Sequence, residues 1–119
     1  MTPHQSLTIA AGDMGLDERT RIRIDLYLAR RRAGRGAVAL KILALRERGR
    51  AAGMNSAEMQ ANEEGSSHEA KATACLDFVA TLLAHPGAAS CAALRRMRDA
   101  GYRPADIDLI AARASQDTQ

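Results

Sequence analysis

The chain has 119 residues, enough for one domain. Hydrophobic residues make up 46% and charged residues 26%, a balance that excludes wholesale disorder. A net charge of +3 falls short of a dedicated nucleic-acid binder, and no apolar run approaches the ~20 residues that span a bilayer. The opening MTPHQSLTIAAGDMG lacks the basic and apolar regions of a secretory signal, so a cytoplasmic protein is expected. The three aromatics, Tyr27, Phe78 and Tyr102, leave alanine, leucine and methionine to build the core. Such a core buries less area per side chain, which makes a homo-oligomer the expected state.

Residues 1–15 show no periodicity and carry Gly12 and Gly15, which predicts a loose arm. A single helical domain is expected over 16–115, with a flexible tail at 116–119. Asp17 is a good cap for a first helix, ERTRIRIDLYLARRRA, ending before Gly34. Ile22, Leu26 and Ala29 form one stripe on it, and Ile24 and Leu28 a second. An apolar arc that wide predicts contact on two sides, with a neighbouring helix and a second subunit as the candidates.

A second helix is predicted from Gly36 to its close at Gly53, with Val38, Ile42 and Leu45 at helical spacing beside Leu40 and Leu43. Asn55 with Glu58 three residues on has the pattern of a capping box, opening a short helix that fades by Gly65. HEAKATACLDFVATLLA is the most regular segment, with Ala72, Cys75, Leu76, Val79, Leu82 and Leu83 on one face and His85 at its end. Two further helices are predicted, Ser90 to Ala100 and Pro104 to about Ala114, the last opened by proline. No segment alternates in the manner of a strand. The expected fold is all-α, with about six helices.

Few residues suggest chemistry. Cys75 and Cys91 form no CxxC and have no Cys/His cluster around them, so no metal site is expected and both read as reduced, buried thiols. His68 shares a helix face with Cys75 but lies seven residues away, about 10 Å along the axis, too far to activate the thiol. Arg30, Arg31, Arg32 and Arg35 form a basic run, joined by Arg46, Arg48 and Arg50, which makes Arg31, Arg32 and Arg35 candidate binding residues for an acidic or phosphorylated partner. Glu47 interrupts that run and no aromatics stand ready to stack bases, so a solvated face at helix C-termini is the simpler reading. The last two helices have a helix-turn-helix outline, yet the second begins with Asp106 and Asp108, acidic where phosphates would lie. Nucleic acid is therefore not the expected partner. Glu63 and Glu64 are expected in a solvent-exposed loop. No catalytic triad, carboxylate pair or Gly-rich phosphate loop is present, and no cofactor is implied.

The order of segments resembles the alkylhydroperoxidase D-like, carboxymuconolactone decarboxylase-like family. AAGMNSAEM (Ala51 to Met59) is similar to that family's Ala-Gly-x-x-x-x-Glu-Ile turn, ATACLDFVATLL to its long helix, and AGYRPADIDLI to its last helix pair. The resemblance covers about residues 16–114. It implies an all-helical domain that assembles as a dimer, trimer or hexamer. Peroxidatic members carry Cys-x-x-Cys-x-x-x-His on the second helix; this sequence has Val38, Lys41 and Leu45, or Ala37, Leu40 and Ala44, at those places. The thiol chemistry is thus absent, which implies a non-redox assembly or small-molecule-binding protein. The alternatives are a decarboxylase-like enzyme and a nucleic-acid-associated protein using the Arg30–Arg50 patch. For the enzyme, Asp25, Lys41 and His68 are the leading catalytic candidates, with Glu58 and Glu63 beside them. Lys41, set among aliphatic residues, either carries a lowered pKa or snorkels to solvent.

Overall fold

The computed structural model describes residues 15–31, 36–85 and 90–116. The expected arm and tail fall largely outside that range, as do Arg32 and Arg35. Among the described residues there are six helices and no strand: α1 (Glu18–Arg31), α2 (Gly36–Ala51), α3 (Ser56–Glu63), α4 (Ala70–Ala84), α5 (Cys91–Asp99) and α6 (Pro104–Gln116). The all-α expectation holds. None of these helices is long and apolar enough to cross a membrane.

The helix ends follow local chemistry. Asp17 Oδ1 accepts from the Thr20 amide at 2.7 Å, and Ser90 Oγ accepts from the Ala93 amide at 3.1 Å. His85 stands at the C-cap of α4. At the end of α2 the Met54 amide donates to Gly49 O at 2.9 Å and the Gly53 amide to Arg50 O at 3.0 Å, a Schellman closure. That closure requires the φ of +89° at Gly53, a conformation that side chains other than glycine adopt only with strain. The same pattern closes α3 at Gly65 and α5 at Gly101.

Helix α1 is the centre of the molecule, and both of its apolar stripes are covered by the chain itself. Ile24, Tyr27 and Leu28 pack into a core with Leu76 and Val79 of α4, Met97 of α5 and Ile110 of α6. Ile22, Leu26 and Ala29 enter a second core with Leu45 of α2, Met54, and Met59 of α3. The two sides of the arc are therefore two intramolecular cores, and a second subunit is not needed to bury it. Gly49 brings α2 close to α3: a Cβ there would sit 2.4 Å from Met59 Sδ.

Two boundaries depart from the sequence reading. Helix α4 starts at Ala70, two residues after the expected His68, because Ser67 and the His68 amide are engaged by Glu58 instead of the helix. Glu63 lies inside α3, buried, and Arg46 Nε donates to it at 2.7 Å, so it is not a solvated loop residue. The last two helices, which have a helix-turn-helix outline in the sequence, each pack chiefly on α4.

Candidate functional site

The site grows from Glu58. Asn55 caps α3 as its sequence predicts, its Oδ1 accepting from the Glu58 amide at 2.8 Å. The reciprocal half of a capping box is missing, because the Glu58 carboxylate turns into the protein. There it accepts from Arg23 Nε at 3.1 Å, Asn62 Nδ2 at 2.9 Å, the His68 amide at 2.8 Å and Ser67 Oγ. Arg23 and Glu58 are both buried, and Arg23 Nη2 also donates to Glu69 Oε2 at 3.3 Å. Asn62 Nδ2 makes a second bond, to Ser66 O at 3.0 Å; its fully buried Oδ1 has no partner among the described residues.

Burial alone would raise the Glu58 carboxyl, but the donors from Ser67, His68 and Asn62 and the charge of Arg23 outweigh it and hold the carboxyl down at about 2. The unfolded chain protonates near the ordinary 4.5, so Glu58 contributes its stabilisation fully above that pH and loses it as pH falls toward 2. A difference of this size corresponds to about 3 kcal/mol. Urea midpoints measured from about pH 5 down to about pH 2 are expected to fall steeply, and Glu58→Gln to remove the largest single share of that slope. A residual slope remains from Glu18, lowered by hydrogen bonds from Arg21 and Arg48, and Asp106, lowered by one from Arg103. An unchanged slope in Glu58→Gln would refute the assignment.

Two clefts meet at Arg23 and Glu69. The first, about 120 Å³, is lined by Leu16, Asp17, Thr20, Lys71, Tyr102 and Asp106 as well. The second, about 160 Å³, adds Arg19, Gly53, Met54, Asn55, Glu58 and His68. A buried guanidinium is thus the shared wall of two polar clefts. This is the arrangement among the described residues best suited to hold a small polar molecule.

The sequence candidates are dispersed. Asp25 accepts from Arg113 Nε at 2.9 Å and Nη2 at 2.7 Å, an ion pair that ties α1 to α6. Lys41 is exposed on α2, the snorkelling alternative. His68 lies at the second cleft, its side chain exposed and its Nδ1 3.6 Å from Glu58 Oε1. None of the three touches another. Arg31 is exposed and lies over the Tyr27 ring at 5.7 Å. Arg46, Arg48 and Arg50 are paired with Glu63, Glu18 and Glu47, which breaks up the basic patch. Burial pushes the Cys75 thiol up to about 12 despite a hydrogen bond with Tyr102, while Cys91 is exposed on another helix. Sequence reading missed Arg23 and Glu69. The one available sign was that Arg23 sits between Ile22 and Ile24, inside the apolar arc of α1. In comparisons with known proteins, the chain matches no family model, no curated protein and no solved structure.

Proposed function

We propose that the chain is a non-redox helical protein of the alkylhydroperoxidase D-like type that binds a small polar molecule at the clefts around Arg23. One observation carries this reading: a charged side chain buried by its own ion pair forms the wall of both clefts. Apolar residues of similar volume in place of the whole pair are often equally stable, so stability alone does not account for a buried charge here. The thiol chemistry of the family has no support in the geometry. Cys75 is held protonated at neutral pH, and a protonated thiol is no nucleophile.

Backbone ¹⁵N spectra of the full chain, recorded with small anionic, neutral and cationic probes, test the binding reading. At least one probe is expected to shift the Glu69 amide together with that of Gly53 or Tyr102; a panel that moves none of them would overturn it. No turnover of an organic hydroperoxide is expected with a dithiol reductant. Turnover abolished by Cys75→Ala would sink the non-redox assignment. Self-association remains part of the proposal, favoured by the exposure of Leu40 and Leu43 on α2. Light scattering on the eluting protein reads it directly.

A further inference from the structure

Glu58 accepts from Arg23 at Nε. Nη2 meets Glu69 at 3.3 Å, longer than the 2.7–2.9 Å usual for a charge-assisted bond. The two partners differ sharply in burial, with the Arg23 side chain 8% exposed and that of Glu69 59% exposed. An ion pair with one partner so open to water is weak. Glu69 is therefore a loosely held occupant of a fixed cation. Once displaced it stays beside the N-terminus of α4, where it is the N-cap residue without a side-chain cap bond and where negative charge is favoured.

The second cleft holds another cation, one helical turn from Arg23 on α1. Arg19 is anchored by its Nε donating to Ala52 O at 2.8 Å and pairs with no carboxylate among the described residues. Gly53 leaves the space its guanidinium uses, since a Cβ there would lie 2.7 Å from Arg19 Nη2. Of the two acids in this cleft, Glu58 already has four donors and Glu69 is displaceable. The first cleft is less suited to an anion. Asp17, Glu69 and Asp106 outnumber Arg23 and Lys71 there, and Lys71 Nζ is held 4.8 Å over the Tyr102 ring.

We propose that the second cleft binds a small carboxylate, which takes over Nη2 of Arg23 from Glu69 and is also met by Arg19, one turn away on α1. This rests on the small-molecule reading above and names its ligand class. The planar edge of a guanidinium matches a carboxylate, and Glu69 already supplies one from within the chain. The volume of about 160 Å³ admits a ligand of about six heavy atoms, since a cavity of ~150 Å³ takes benzene.

Acetate and acetamide have the same shape and differ in charge. Both are titrated at constant ionic strength into the full chain, into Glu69→Gln and into Arg19→Met, with methylguanidinium as the cationic probe and ¹⁵N shifts as the readout. Acetate is expected to move the Gly53 and Glu69 amides and Arg23 Nε, and acetamide to leave them in place. Loss of the internal competitor should tighten acetate binding about fivefold in Glu69→Gln, and loss of the second cation should weaken it by a similar factor in Arg19→Met. Unchanged or weaker binding in Glu69→Gln overturns the inference. So does a shift of the same signals by acetamide or methylguanidinium in place of acetate, a result that leaves the small-molecule reading standing. If no probe moves those signals in any of the three proteins, both readings fall.

Discussion

Replacing Arg23 by methionine is expected to destabilise the fold by about 3–5 kcal/mol at neutral pH, the usual result of leaving a buried charge without its partner. Methionine fills much of the volume and keeps the apolar contacts, so the loss reports the guanidinium. The position makes the effect global. Ile22 belongs to the core shared with α2 and α3, and Ile24 to the core shared with α4, α5 and α6. Arg23 emerges at the seam between them and joins Glu58 of α3 to Glu69 at the start of α4. Its loss also removes the charge that helps hold the Glu58 carboxyl low. The folded-state value then rises toward the ordinary one, so less stability depends on that titration, and the remaining acid loss, which still begins near the ordinary 4.5, is complete at a higher pH. Urea unfolding at pH 7 measures the first effect, and its pH dependence the second. Arg23→Lys keeps a charge but not the fork that reaches both acids, and an intermediate loss is expected. A loss under about 1 kcal/mol in Arg23→Met would mean that the pair is screened like a surface ion pair.

The fold was legible because its signals are local. Asp17, Asn55 and Ser90 each cap the helix they precede, Pro104 opens α6, and glycines close α2, α3 and α5 where their spacing predicts. Periodicity alone finds Ala72, Cys75, Leu76 and Val79 on the buried face of α4, though it leaves out the buried Phe78, and Leu82 and Leu83 are only partly buried. The site was not legible, because its pairings are not local. Glu58 lies 35 residues from Arg23, and Glu69 lies 46 from it. Arg23 follows Arg19 and Arg21 in the sequence, and apart from its place between Ile22 and Ile24 only tertiary packing distinguishes the buried member from its neighbours. In the sequence Glu58 reads as half of a capping box, a local use that the structure replaces with a long-range one. Asp25 stands out in the sequence as a catalytic candidate, yet its partner Arg113 is 88 residues away.

Asn62→Asp should be the most damaging near-isosteric change in the molecule, at about 4 kcal/mol. The Asn62 amide nitrogen donates to Glu58 Oε2 and to Ser66 O, and the side chain is fully buried. Exchanging that nitrogen for oxygen turns a donor into an acceptor against a buried carboxylate, and it opposes the Ser66 carbonyl as well. The other oxygen gains nothing, since Asn62 Oδ1 already has no partner among the described residues. Asn62→Leu separates charge from hydrogen bonding. It loses the same two bonds but adds no charge and removes the orphaned acceptor, so a smaller loss of about 1–2 kcal/mol is expected. The two variants should also differ in pH dependence. The introduced carboxyl, pressed against Glu58 in the folded state, has its pKa raised above the unfolded value. Its destabilising effect is therefore full above that raised value and relaxes as pH falls and a shared proton bridges the pair. The gap between the parent and Asn62→Asp should narrow on acidification, while the gap to Asn62→Leu should not follow that course. Equal losses in the two variants at every pH would show that Glu58 does not carry its charge against Asn62.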